Sequence, residues 1–265
     1  MPRSDALLPR PPGSVALATL PAVACALAAG AVALSGANVS LFAATQAITV
    51  ALPDGLWAFV TDQASTASVA AWLSLSLLAW PRAAAAVLLS WPAGLVLVRG
   101  LKHLVDAPRP EVLLPPEAIH VIGVSLSGLS FPSGHTATAF AVAAALLLSL
   151  TPGRQRRWAL PALLLAALVG LSRIAVGAHW PVDVLAGAAI GWLCGLSGAW
   201  WSARWRFWER RAGLAVLCAL GLLAGVLRMR LDTGYPAAQD FALLLGALAV
   251  AVSLGAAWRC RAERS

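Results

Sequence analysis

Three short polar stretches interrupt an otherwise apolar chain, and they gather residue types that can handle a phosphate group. They are KHLVDAPRP (residues 102–110), PSGH (132–135) and SRIAVGAHWPVD (172–183). Arg109 and Arg173 can each offer a planar fork of N–H donors that matches two phosphate oxygens. Lys102, the only lysine in the chain, adds a mobile point charge. Ser133 stands where a helix N-cap belongs, and Gly134 lets the backbone N–H groups that follow come close to an anion. His179 and Asp183 are four residues apart, with Pro181 suited to the first turn of a helix, so the carboxylate can reach back to the imidazole. A carboxylate on Nδ1 fixes the tautomer and leaves Nε2 free to attack phosphorus. His135, at another helix start, suits a general acid that protonates the leaving oxygen. Each residue alone has an ordinary use, as an interface anchor, a turn or a satisfied polar group. Three cations, two histidines and a carboxylate gathered at membrane helix ends have a functional one.

The elements that must position these residues are membrane helices. The chain is 60% hydrophobic and 11% charged with a mean hydropathy of +0.80, too little polar surface for a water-exposed globule. Eight apolar runs, at about 15–35, 64–80, 83–104, 134–151, 159–176, 182–202, 212–227 and 240–258, approach the roughly 20 residues that span a bilayer. The second and seventh are short. The runs are continuous rather than alternating, which argues against a β-barrel. The expectation is an all-α, polytopic transmembrane bundle of about six to eight spans, with 1–265 as one integral membrane domain and 102–183 as its catalytic region. Residues 37–63, with Pro53, Trp57 and Phe59, read as an interfacial segment, because tryptophan favours the headgroup level. In an up-and-down topology the three polar stretches fall at the ends of spans three and five and the starts of spans four and six. All four ends lie on one side of the membrane.

Charge says which side. With the N-terminus inside, 13 of the 19 basic residues fall in inner segments: Arg3, Arg10, Arg82, Arg154, Arg156, Arg157, Arg204, Arg206, Arg210, Arg211, Arg259, Arg261 and Arg264. The net charge of +8 is therefore a topology signal rather than a nucleic-acid patch, and no nucleic-acid partner is expected. The basic, proline-rich start could open a signal peptide. Its apolar stretch is longer than the usual signal core, which favours an uncleaved first helix. Cys25, Cys194, Cys218 and Cys260 lack metal-ligand spacing and read as packing residues. His103 reads as an interface anchor, His120 as solvated, and Asp106 as a candidate arginine partner. The polar 228–240 segment, with Tyr235, could cap the site or simply join two spans.

The pattern K-x6-RP, PSGH and SR-x5-H-x3-D resembles the type 2 phosphatidic acid phosphatase (PAP2) superfamily, which also includes the vanadium haloperoxidases. All three parts match in identity and spacing across residues 102–183. The resemblance implies a PAP2-like core of six helices, leaving an extra C-terminal pair among the eight runs. It implies phosphate binding by Lys102, Arg109, Ser133, Gly134 and Arg173, with His135 as acid, His179 as nucleophile and Asp183 as its orienting partner. No metal and no cofactor are expected. The implied partners are membrane lipids and a lipid phosphate substrate, such as undecaprenyl pyrophosphate, phosphatidylglycerophosphate, phosphatidic acid or a lipid A phosphate. Hydrolysis would run through a phosphohistidine on the non-cytoplasmic face, the periplasmic side of a bacterial inner membrane. The same residues would serve a lipid-to-lipid phosphotransferase, and the binding groups alone would serve a non-catalytic lipid-phosphate transporter. A soluble haloperoxidase does not fit so apolar a chain.

Overall fold

The computed structural model describes residues 15–262. Arg3, Arg10 and Arg264, counted above among the inner basic residues, lie outside it. The described residues form helices without strands. In chain order they are α1 (Val15–Ser35), α2 (Asn38–Thr49), α3 (Asp54–Asp62), α4 (Thr66–Leu75), α5 (Pro81–Val105), α6 (Pro110–Leu113), α7 (Gly134–Leu148), α8 (Pro152–Ala175), α9 (Pro181–Trp205), α10 (Arg211–Arg230) and α11 (Gln239–Ala262). Six of them, α1, α5, α8, α9, α10 and α11, are long and apolar enough to cross a membrane, as expected of an integral membrane protein.

The other two expected spans are α4 and α7, which are apolar but shorter. The seventh run, read as short, is α10, a helix of 20 residues. It runs on through Arg228 because that arginine is buried against Asp62 of α3 rather than left facing lipid. The 37–63 segment, read as interfacial, forms two helices. Helices α2 and α3 fold back at an angle of 116°. Trp57, expected at headgroup level, is buried, and its indole N–H donates to the Thr49 carbonyl at 2.9 Å.

The centre of the bundle is α9, which packs on α1, α5, α7 and α8. Its sequence carries glycine at 187, 191, 195 and 198. A methyl group at Gly187 would meet the Ser133 carbonyl, one at Gly191 that of Ala137, and one at Gly195 that of Ala141. Each pair differs by 54 in residue number, so α7 and α9 run parallel in a constant register with their backbones in contact. Gly198 does the same toward Ala86 and Ser90 of α5. In this register α7 begins seven residues below the top of α9, roughly 10 Å along the axis at 1.5 Å per residue. The PSGH stretch is thereby sunk below the start of α9. A second group, α4, α10 and α11, packs beside this core, with α10 and α11 crossing closely at Gly225 and Gly246.

Candidate active site

The three polar stretches meet where the K-x6-RP loop, the start of α7 and the α8–α9 turn come together. Helix α5 stops at Asp106, whose left-handed φ of 45° closes the last turn with its N–H on the Lys102 carbonyl. Asp106 is thus a helix terminator, not an arginine partner. Two prolines around Arg109 keep the chain extended there, and the arginine turns inward. Helix α8 ends at Ala175, and Gly177 adopts a φ of +76°, where a Cβ would collide with the His120 carbonyl. The tight turn brings the His179 N–H back to the Arg173 carbonyl at 3.2 Å. Trp180 donates its indole N–H to the Pro108 carbonyl at 2.9 Å, tying this turn to the first stretch. The Ser133 N–H donates to the Asp183 carbonyl at 3.0 Å, tying it to the second.

His179 and Asp183 are both almost completely buried, with Nδ1 3.5 Å from Oδ2. That separation is at the outer limit of a hydrogen bond, longer than the direct contact the spacing suggests. The reason is that Oδ2 is already engaged. It accepts the Ser130 hydroxyl at 2.5 Å and the Trp180 N–H at 2.9 Å. Ser130 Oγ is itself 3.4 Å from His179 Nδ1. With its hydroxyl proton directed at Asp183, Ser130 has a lone pair for a proton on Nδ1, and in that tautomer Nε2 is unprotonated. Ser130 escapes a reading based on charged residues and histidines, although it lies only three residues before the Ser133 cap.

On the Nε2 side stands Arg109, with Nη1 at 3.4 Å. Its guanidinium donates to the carbonyls of Ala178 (2.7 Å), Gly128 (2.9 Å) and Leu129 (3.3 Å). Lys102 Nζ donates to the carbonyls of Leu129 (2.7 Å) and Ser130 (3.2 Å), so the two cations share one loop. Arg173 is buried and donates to the Thr61 and Tyr235 hydroxyls. Burial and the three cations, Arg173, Arg109 and Lys102, push the His179 imidazole well below the usual histidine range, so it is neutral near pH 7.

Ser133 caps α7, accepting the Thr136 N–H at 3.4 Å and its hydroxyl at 2.9 Å. His135 is the member that hydrogen bonds do not tie to the rest. Half-buried in the first turn of α7, it opens onto a cavity of about 720 Å³ walled by α4, α5, α7 and α9. The lining is apolar, with residues such as Trp91, Leu95, Val98 and Ala141, and carries one cation, Arg99. The remaining histidines stand aside. His103 is exposed, and His120 pairs with the exposed Asp54 at 2.9 Å.

The chain is similar to known proteins. The PAP2 superfamily profile matches residues 83–207. The undecaprenyl-diphosphatase BcrC of Bacillus subtilis strain 168 is 31% identical over 145 residues, which are 54% of this chain and 71% of that protein. The chain belongs to the PAP2 superfamily. The lipid A 1-phosphatase of Porphyromonas gingivalis is 47% identical over 72 residues, 27% of this chain but only 16% of that protein, so the likeness spans a small part of that relative. Among solved structures, Aquifex aeolicus LpxE superimposes with a TM-score of 0.53 at 29% identity, over 61% of this chain and 93% of its own. The PAP2 match ends at residue 207. Helices α10 and α11, and the bent α2–α3 pair before residue 83, lie outside it.

Proposed function

We propose that this PAP2 protein is a membrane lipid phosphatase that hydrolyses a lipid phosphomonoester or diphosphate. The observation that carries the reading is the split environment of His179. Its Nδ1 faces Ser130 and Asp183 while its Nε2 faces Arg109, so the free lone pair points to where cations would hold a phosphate. Lys102, Arg109 and Arg173, with Ser133 and Gly134 at the start of α7, bind the phosphate oxygens. Nε2 attacks in line, the N–P bond forms as the P–O bond to the lipid breaks, and His135 gives its proton to the departing oxygen. His135 then takes a proton from water, whose oxygen attacks phosphorus and frees the imidazole. The cations stabilise the equatorial oxygens throughout, a contribution for which the loss of one donor costs about 10²–10³ in rate.

The lipid character of the substrate is supported by the cavity. Its volume falls within the usual range for ligand sites, it is apolar, and the proposed acid opens into it. Undecaprenyl pyrophosphate, phosphatidylglycerophosphate and phosphatidic acid are all of this kind. The charge bias supports a site on the non-cytoplasmic face, the periplasmic side of an inner membrane.

A phosphate-release screen over lipid mono- and diphosphates, wild type against His179→Ala, tests the reading. Release abolished in the variant and insensitive to chelator, with an acid-labile phosphoenzyme trapped in the wild type, is the expected result. Chelator-sensitive release without a phosphoenzyme overturns the mechanism. Labelled phosphate recovered on an acceptor lipid instead of in water would favour a phosphotransferase. Function surviving His179→Ala would favour a transporter.

A further inference from the structure

The phosphate site draws on parts of the chain that the PAP2 match does not cover. Arg173, 2% exposed, sends Nη1 to two hydroxyls, Thr61 Oγ1 and Tyr235 Oη, the latter at 2.9 Å. Thr61 comes from α3 and Tyr235 from the turn between α10 and α11, on opposite sides of the matched residues 83–207. Tyr235 is the only tyrosine in the chain and is itself buried. It packs with Trp57, Ala58, Val176 and Ala178 in one cluster above the site. The loop before α7 closes on it. A Cβ at Gly123, whose φ is +88°, would stand 2.7 Å from the Tyr235 ring.

The two acceptors are neutral, and that is informative. Among the described residues no carboxylate lies within salt-bridge distance of Arg173. Asp62 is adjacent to Thr61 on α3, but it is spent on Arg228, which is buried beside it in an ion pair. Helix α3 therefore sorts two buried arginines. Arg228 receives a carboxylate, which cancels its charge and anchors α10. Arg173 receives a hydroxyl, which fixes its direction and leaves its charge available to an anion. A carboxylate in Thr61's place would have quenched the cation that a phosphate needs.

We propose that Tyr235 and Thr61 are positioning residues that hold the Arg173 guanidinium in its phosphate-binding orientation, so that α3 and the α10–α11 turn complete the site. This rests on the reading of Arg173 as a phosphate ligand. A hydroxyl that orients a charged donor is felt wherever the donor meets charge, so losing one lowers kcat/KM by about tenfold or more.

The test is a double-mutant cycle on the purified full chain. It uses phosphate release from a detergent-solubilised lipid phosphate, calorimetric binding of orthovanadate and thermal unfolding. Tyr235→Phe keeps the ring and its packing and removes only the hydroxyl. The expected result is a tenfold or larger fall in kcat/KM and in vanadate affinity with an unchanged melting temperature. The same change in an Arg173→Lys background, which lacks the planar fork, should add little. Thr61→Val should repeat the loss and Thr61→Ser should restore it, a reading independent of how Tyr235→Phe folds. Equal losses in the wild-type and Arg173→Lys backgrounds, or Tyr235→Phe and Thr61→Val with wild-type vanadate affinity, overturn the proposal. If Arg173→Lys itself binds vanadate and turns over like wild type, the phosphate-ligand reading fails instead.

Discussion

Ser130 stands between His179 and Asp183, giving its hydroxyl proton to the Asp183 carboxylate at 2.5 Å and lying 3.4 Å from His179 Nδ1. The direct His179–Asp183 approach is 3.5 Å, so the serine is better placed to relay the carboxylate's hold on the imidazole. A chain of hydrogen bonds of this kind works as a unit, because each member polarises the next.

The first prediction follows from that chain. Ser130→Ala removes the relay without disturbing the cation cluster, whose loop contacts run through backbone carbonyls. We expect kcat to fall about 10–100-fold with KM nearly unchanged, on the scale of losing a hydrogen bond to a group that becomes charged in the reaction. Steady-state kinetics decide it. A rise in KM at constant kcat would place Ser130 in substrate binding instead.

The second concerns pH. The proposed mechanism needs a neutral His179, and burial with three cations holds its pKa well below the usual histidine range. On that mechanism, protonation on lowering the pH removes the proposed nucleophile, which assigns the acid limb of kcat/KM to His179. We expect that limb below the ordinary histidine value of about 6.5, with an alkaline limb where the proton donor is lost. An acid limb at the ordinary histidine value, in a profile of kcat/KM from about pH 4 to 9, would contradict the cationic environment described.

The third concerns the contact of α7 with α9. At Gly191 a Cβ would overlap the Ala137 carbonyl, whereas at Gly30 of α1 no atom lies within 4 Å. Gly191→Ala forces the two backbones apart and should cost about 1–3 kcal/mol, as overpacking does. It should also reduce activity, because PSGH is carried on α7. Gly30→Ala should leave both melting temperature and turnover at wild-type levels. Thermal unfolding in detergent beside the release assay compares the two.

The fourth is a negative one. His120 and Asp54 form an exposed hydrogen-bonded pair, with side chains 42% and 57% accessible. Exposed pairs contribute about 0–1 kcal/mol. His120→Ala and His103→Ala should therefore stay within twofold of wild type in turnover, in contrast to His135→Ala and His179→Ala. A hundredfold loss in either would mean that the wrong histidines have been assigned.

Several features were legible because they are local or periodic. The apolar runs marked the helices, since a membrane span has to satisfy its own backbone and cover itself in hydrocarbon. Counting those runs placed Lys102, Arg109, Ser133, His135, Arg173, His179 and Asp183 at neighbouring ends. The glycines at 187, 191 and 195 drew no attention in the sequence, and the structure shows them facing α7 in a constant register. That Trp57 meets protein rather than lipid was not legible, because the amphipathic character of an indole does not say which surface it meets. Asp106 closes a helix, and its charge alone could not reveal that.

The sequence by itself determined the chemistry on offer: an all-helical membrane chain whose cations, histidines and carboxylate have the identity and spacing of the PAP2 pattern. Those are properties of residue type and of separation along one or two helices. The tertiary structure decided how the groups are held. It put Ser130 between His179 and Asp183, sank His135 toward an apolar cavity, and brought Thr61 and Tyr235 onto Arg173. Residues 61, 173 and 235 meet only when α3, α8 and the α10–α11 turn pack together. A neutral hydroxyl carries no signal in composition or charge, so its role exists only where the fold delivers it.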